Sequence, residues 1–428
     1  MIKTAIVTAD TSRVPPETRV GGVGILSRAI LVCRKAEIPN IIVAVNGPVD
    51  VVRARASKHW KVAEDESIRW IDWTNAAQRA TIDFDPSEPV LLVSPAGVFF
   101  PDTITELAAA ASDHIVAGIA GTTDKPAHER YTGLAVIPGI LPGASSTLGS
   151  LHEQMLDALR TETAGVHEVA DTTWRPVHGT RKSIRAAKKL LFTRVTKPTS
   201  GFVSRRINSL ISIPISKILV ELPVTPNQVS VSTLVIGFTA AGLLAIDAYW
   251  ALCLAGLLWQ FAAVVDRCDG EIARTKHMET TYGAWIDTMA DQTSYFVFYL
   301  GVIYGMLVRT GEFAYLYFGL FTLAMTGAAV LLMMRFARKQ NIGTLQTYNR
   351  DVVGKASANG GLIVRLMSAL KFASKRDFFS FMFMWFCVFD FFTALYWGFM
   401  IGSLIVAVGV FVMNRRMKRM APTVEAAS

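Results

Sequence analysis

Asp266-Arg267-Cys268-Asp269-Gly270-Glu271-Ile272-Ala273-Arg274, followed after eight residues by Gly283-Ala284-Trp285-Ile286-Asp287-Thr288-Met289-Ala290-Asp291, stands between two long apolar stretches, about 249–267 and 284–308. Carboxylates three or four residues apart share one face of a helix, so each Asp pair lines up on its own helix. Both flanking stretches have the length of a bilayer span. Working outward, further apolar stretches lie at about 228–247, 312–334, 378–395 and 397–414, which makes six. The carboxy-terminal half is therefore expected to be an all-α polytopic membrane domain of six transmembrane helices.

Charge placement agrees with that count. Lys and Arg gather before the first span, between the second and third, between the fourth and fifth, and after the sixth, as in Arg335-Phe-Ala-Arg338-Lys339 and Arg415-Arg416-Met-Lys418-Arg419. The other turns carry Asp247, Arg309 and Glu312 and little else. Cations mark the cytoplasmic side, so both termini and the aspartate end of the bundle are expected there, in a protein of the cytoplasmic (inner) membrane. No cleavable leader pattern opens the chain, in keeping with a cytoplasmic amino-terminal part. The 428 residues are 51% hydrophobic and carry a net charge of +9, with the cations beside apolar spans. Their partner is an anionic bilayer surface rather than nucleic acid. Four cysteines at 33, 253, 268 and 387 form no CxxC pair and indicate neither a disulfide framework nor a zinc site.

The first 140 residues read differently. Short apolar strands at Ala5 to Val7, Ile41 to Val45, Val90 to Val93 and Ile115 to Ile119 alternate with helical stretches near 25–36 and 103–111. Such alternation predicts an α/β domain with a mostly parallel sheet, and further helices are expected near 150–161 and 181–194. The expected division is a cytoplasmic domain over 1–196, a linker and interfacial amphipathic helix over 197–227, the membrane domain over 228–420 and a tail over 421–428. Within the linker, Arg205 to Val220 mixes apolar and polar positions with positive charge, as a helix lying in the membrane interface does.

Four carboxylates converging near hydrocarbon repel one another, and each costs roughly 2.5–3.5 kcal/mol within a membrane, so a counter-ion is needed. Oxygen-only ligation suits a hard divalent cation, and carboxylates together with substrate phosphates are the usual cage of Mg²⁺. A pyrophosphate is the substrate group that fits. Gly270, Ala273 and Gly283 would let a nucleotide approach the backbone, Arg274 could pair with a phosphate oxygen, and one carboxylate could take the proton of an attacking hydroxyl. Single Asp residues at helix ends are ordinarily solvated caps; it is the whole set, with its glycines and Arg274, that points to chemistry. A transporter would also carry intramembrane carboxylates, but with inverted repeats or broken midplane helices that this sequence does not display. A non-catalytic membrane scaffold is the other alternative.

The pattern D-x2-D-G-x2-A-R-x8-G-x3-D-x3-D matches, at every fixed position, that of the CDP-alcohol phosphatidyltransferase family, and the chain resembles its members. The resemblance implies six transmembrane helices, release of CMP from a CDP-alcohol donor to a hydroxyl acceptor, a site holding two Mg²⁺ or Mn²⁺ ions, and a homodimer. Carried over by position, Asp266, Asp269 and Asp287 resemble metal ligands. Asp291 resembles the catalytic base with a share in the metals, and Gly270, Ala273, Arg274 and Gly283 resemble CDP contacts. Upstream, Lys197 to Arg205, Arg206 to Ser212 and Thr225-Pro226-Asn227-Gln228 are similar to the fused enzymes that join an inositol-phosphate cytidylyltransferase to a di-inositol-phosphate-phosphate synthase. Those proteins make CDP-inositol from CTP and couple it to a second inositol phosphate. The donor implied is therefore either CDP-diacylglycerol or a CDP-polyol.

The amino-terminal domain departs from the nucleotidyltransferases of that type. Where they carry a glycine-rich loop and a later Pro-Lys, this chain has Thr8-Ala9-Asp10-Thr11-Ser12-Arg13 and then Val14-Pro15-Pro16-Glu17, and a strand expected to end near a metal-binding Asp ends in Val93-Ser94-Pro95-Ala96-Gly97. Without glycines the backbone cannot wrap a triphosphate closely, so the domain reads as a degenerate cytidylyltransferase, with an active one making CDP-inositol as the alternative. Arg376, after Lys371 and Lys375, is placed either at the acceptor's phosphate or as a positive-inside anchor. Asn227 is read as a helix cap and then as a nucleotide contact. His277, in the eight-residue spacer, is not expected to bind metal.

Overall fold

The computed structural model describes residues 2–425 except 10–13, 16, 81, 83–87, 112–114, 122–124, 138–147, 198–199 and 340–375. Two compact units emerge, one of Met1–Val195 with Thr275–His277 and one of Thr196–Arg274 with Met278–Ser428.

The first unit is an α/β domain. Its strands are β1 (Thr4–Ala9), β2 (Asn40–Val45), β3 (Ile68–Asp72), β4 (Val90–Val93), β5 (Val116–Ile119), β6 (Tyr131–Ile137) and β7 (Gly165–Glu168), in the spatial order β7-β5-β6-β4-β1-β2-β3. The pairs β1–β2, β1–β4, β2–β3 and β5–β7 are parallel, while β6 runs antiparallel to β4 and β5. The central strands are near-continuous apolar runs because helices cover both faces. On one face Leu26, Ile30, Ile104 and Leu107, from helices α1 (Ile25–Lys35) and α2 (Pro101–Ala110), pack on Val7, Val43 and Leu91. On the other, Met155 and Leu159 of α3 (Leu148–Arg160) join Ile6, Ile42 and Leu92. Helix α4 (Arg181–Thr193) opens on the Thr180 side chain, which accepts from Ser183 N. Of the Thr8–Arg13 loop, positions 10–13 lie outside the described residues.

The second unit is helical: α5 (Ser209–Leu219, entered through a π-helical turn at Ser204–Asn208), α6 (Pro226–Leu244), α7 (Tyr249–Thr275), α8 (Thr281–Thr310), α9 (Phe313–Lys339), α10 (Arg376–Val388) and α11 (Phe392–Glu425). Among the described residues four helices are long and apolar enough to cross a membrane, Pro226–Leu244, Tyr249–Thr275, Phe313–Arg335 and Phe392–Val412, and Asp377–Val388 is a shorter apolar helix. Helix α8, at 30 residues, is long enough but less apolar, since Asp287, Asp291, Gln292, Thr293 and Ser294 dilute its first half. The break between the last two helices corrects the expected position near 396. It falls at Phe389–Phe391, where Asp390 takes a left-handed φ of 56°. No Gly or Pro marks it, and unbroken apolarity on both sides conceals it.

Close packing holds α6 against α8. A Cβ built on Gly301 would lie 2.6 Å from the Ala241 carbonyl oxygen, and one on Gly305 would overlap that of Leu244. Gly at i and i+4 lets two helix backbones touch, the small-residue packing typical of membrane helices. Below this contact Trp259 of α7 stacks on Phe298 of α8 with ring centroids 3.7 Å apart. At the end of the bundle away from the aspartates, Arg309 binds Asp390 at 2.6 Å and Asp247 at 3.6 Å, tying three interhelical turns together.

Candidate active site

Helix ends fix the first of the site residues. Thr225 and Gln228 form a reciprocal capping box at the start of α6, with Pro226 in the first turn. Thr225, not Asn227, is therefore the cap, because a Thr-x-x-Gln sequence satisfies two end N–H groups at once. That frees the Asn227 side chain, whose Oδ1 lies 3.5 Å from where a Gly283 Cβ would be. Helix α8 begins with Thr280, whose hydroxyl accepts from Gly283 N at 2.9 Å. The same hydroxyl would sit 2.9 Å from a Cβ on Gly283, so the cap and a side chain compete for one place. Between α7 and α8 the chain turns through His277 at φ 55°, with Met278 N donating to Ala273 O at 2.8 Å, the closing bond of a Schellman turn.

That framing brings Asp266, Asp269 and Asp287 together. One carboxylate oxygen from each lies within 4.8 Å of the others, the arrangement of groups that could hold a metal ion. Asp269 is buried, at 8% exposure, and Asp266 and Asp287 are half-buried. Asp291, one turn further along α8, stands outside that set but near enough to Asp269 to repel its charge, as Asp266 and Asp287 also do. Ser230 of α6, which sequence reasoning passed over, donates to Asp269 Oδ2 at 2.6 Å. Its signal is positional: it follows Asn227 by three residues and so shares its helix face.

Arg274 folds back along α7. A Cβ on Gly270 would lie 3.0 Å from one of its terminal nitrogens, so the guanidinium lies over bare backbone. Ala273 is half-buried beside it. Arg376 opens α10, and its side chain lies outside the described residues, as do Lys371 and Lys375. The donor set fits the expected cation: oxygen ligands only, three carboxylates in reach of one another, one of them already oriented by a hydroxyl.

Residues 223–396 match the CDP-alcohol phosphatidyltransferase family. Similar curated proteins are the "Bifunctional IPC transferase and DIPP synthase" of Aquifex aeolicus, 35% identical over 131 residues (31% of this chain and 29% of that protein), and the one of Archaeoglobus fulgidus, 34% identical over 136 residues (32% and 26%). The Thermococcus kodakarensis protein of the same description is 36% identical over 119 residues, 28% of this chain and 26% of its own length. The match thus spans less than a third of each of these relatives. Solved structures similar to the amino-terminal part include the inositol-1-phosphate CTP transferase from T. maritima, at 15% identity and TM-score 0.33 over 44% of this chain and 96% of that one. Another is the 4-diphosphocytidyl-2C-methyl-D-erythritol synthase from Anaerococcus prevotii, at 12% identity and TM-score 0.32 over 45% and 98%. On the sequence match, the carboxy-terminal part of this chain carries a CDP-alcohol phosphatidyltransferase domain, a domain of transferase enzymes.

Proposed function

We propose that the protein is a membrane phosphotransferase that moves a phosphoalcohol group from a CDP-alcohol to a hydroxyl acceptor and releases CMP. The observation that carries this reading is the meeting of Asp266, Asp269 and Asp287 within 4.8 Å, inside the segment that matches the family. Asp266, Asp269 and Asp287, with a share from Asp291, would hold Mg²⁺ or Mn²⁺ as a pair of ions. Bound there, the ions would neutralise the donor's pyrophosphate and polarise its phosphorus.

The rest of the work falls to the chain. Bare backbone at Gly270 and Gly283 admits the nucleotide, with Ala273 and Asn227 beside it, and Arg274 pairs with a phosphate oxygen. Asp291 takes the proton of the acceptor hydroxyl as its oxygen bonds to phosphorus and the bond from phosphorus to the CMP oxygen breaks. Arg376 at the head of α10 would meet a phosphate on the acceptor. Six helices, α6 to α11, would cross the bilayer of the inner membrane, with both termini and the aspartates on the cytoplasmic side; the shared end of Asp247, Arg309 and Asp390 favours that alternation. A homodimer is the assembly proposed.

The division proposed is a degenerate cytidylyltransferase over 1–196, a linker over 197–227, the membrane domain over 228–420 and a tail over 421–428. Its donor is a CDP-polyol rather than CDP-diacylglycerol, a choice supported by the likeness of its linker to that of the fused inositol-phosphate enzymes. Purified protein in detergent, given each donor separately with Mg²⁺ and a panel of alcohols, tests this reading. Acceptor-dependent CMP release with CDP-inositol, cut roughly 10²–10⁴-fold by Asp291→Asn, is the expected result. Release only with CDP-diacylglycerol would reverse the donor assignment.

A further inference from the structure

Helix α7 carries a second charged set that the proposed chemistry does not use. Arg267 and Glu271 stand four residues apart, and at 100° per residue their mean direction lies about 150° round the helix from that of Asp266 and Asp269. Glu271, although part of the same acidic run, therefore faces away from the aspartate cluster. Its side chain is fully buried, and that of Arg267 is only 8% exposed.

Every group of the guanidinium is engaged on that face. Arg267 Nε donates to Glu271 Oε1 at 2.7 Å and to Ser212 Oγ at 3.0 Å, Nη1 donates to Ser204 Oγ at 2.6 Å, and Nη2 to Thr196 Oγ1 at 2.7 Å. Ser212 Oγ in turn donates to Glu271 Oε1 at 2.9 Å. Two turns deeper along α7, Gln260 Nε2 donates to Asn208 Oδ1 at 2.8 Å.

The segment being gripped is inside out by the standard of a helix in water. Ser204, Asn208, Ser212 and Ser216 recur every fourth residue and are all buried, while Leu210, at 74% exposure, and Ile218, at 67%, face outward. Its polar stripe serves α7 and its apolar stripe is left for lipid.

A buried ion pair is a poor source of net stability, because desolvating both charges offsets their attraction. What it does supply is a fixed geometry, since a planar guanidinium reaches all its acceptors in only one rotation of α7. We infer that Arg267 and Glu271 are positioning residues: by locking α7 onto Thr196 and the Ser204–Ser216 segment they hold Asp266 and Asp269 in register with Asp287. This inference rests on the metal-holding role proposed for those aspartates.

The test is Mn²⁺ binding by the full-length protein in detergent, read from the electron paramagnetic resonance signal of free ion, with circular dichroism and gel filtration reporting the fold. Arg267→Ala and Glu271→Ala should bind Mn²⁺ about 10–100-fold more weakly. Glu271→Gln, which still accepts from Arg267 and Ser212, should stay within a few-fold of wild type. The half-saturating metal concentration for CMP release should rise in step, with kcat recovering at high Mn²⁺; a merely structural role would reduce the amount of folded protein and leave metal affinity alone. Folded alanine variants with wild-type Mn²⁺ affinity would overturn the inference. Should they fail to fold, Arg267→Lys decides, because it keeps the charge but cannot span Thr196, Ser204 and Glu271: several-fold weaker binding supports the role and unchanged binding overturns it. Wild-type protein that binds Mn²⁺ but releases no CMP defeats the reaction alone, with the variants' affinities still deciding this inference; wild-type protein that binds no Mn²⁺ defeats both.

Discussion

The two units treat their carboxylates in opposite ways. In the first, acids meet bases near the surface: Arg34 with Asp65 at 2.7 Å, Arg55 with Glu17 at 3.0 Å, Arg130 with Glu168 at 3.1 Å and Arg194 with Asp102 at 2.7 Å. In its interior the Thr8 and Tyr131 hydroxyls both meet the His152 ring, at 2.9 and 3.2 Å, and the buried Arg28 donates to the Val20 carbonyl at 2.7 Å. The second unit also has ion pairs, Arg267 with Glu271 and Arg309 with Asp390, but three of its acids meet one another. Asp266, Asp269 and Asp287 are brought within 4.8 Å by helix caps and glycine contacts that are indifferent to charge. A fold does not gather like charges for its own stability, so the difference supports the metal site proposed in the second unit.

Breaking that cluster should produce the largest effect. Asp269→Asn or Asp287→Asn should lower kcat for CMP release by about 10²–10³-fold, the scale of losing one preorganised charge partner at a reacting centre, with the helical circular dichroism unchanged. Chelation by EDTA should abolish wild-type release and added Mg²⁺ restore it; activity that survives EDTA would break the comparison outright. Next in size is the packing that brings the acids together. Gly301→Leu inserts a side chain where the Ala241 carbonyl already stands, and overpacking of this kind costs about 1–3 kcal/mol, visible as a lowered thermal midpoint in detergent. Ser230→Ala removes the hydroxyl that orients Asp269, and should weaken Mn²⁺ binding about 10-fold with little change in the thermal midpoint. Smallest is the effect in the first unit: Arg55→Ala, which frees Glu17 at the surface, should change stability by about 1 kcal/mol or less and leave CMP release untouched.

How much of this was legible in the sequence divides along physical lines. Strands β1, β2, β4 and β5 stood out as short apolar runs between helical stretches, because they lie inside a sheet covered on both faces. Edge strands β3 and β7 did not, since Arg69 and most of Gly165–Glu168 are exposed and carry no continuous apolar signal. Strand β6 is buried but is interrupted by Gly133 at φ 80°, where a Cβ would lie 2.6 Å from that of Ser94. In the second unit the aspartates declared themselves by spacing, as did the glycines beside them. Ser230 was hidden among the hydroxyls of Thr225 to Thr233, and Arg267 with Glu271 were hidden inside the motif, because nothing in a one-dimensional pattern says which side of a helix carries the aspartate cluster and which meets a neighbouring helix. Asp390 illustrates the converse: its left-handed turn stops a helix in the middle of an apolar run where composition gives no warning.

The most direct test of the central claim is a product balance: CMP and the transferred phosphoalcohol product measured together for wild type and Asp287→Asn, in Mg²⁺, with CDP-inositol and a polyol phosphate acceptor. The account predicts equimolar CMP and product from wild type and neither from the variant. Equal turnover by the variant, or CMP released without any phosphodiester product, would contradict it.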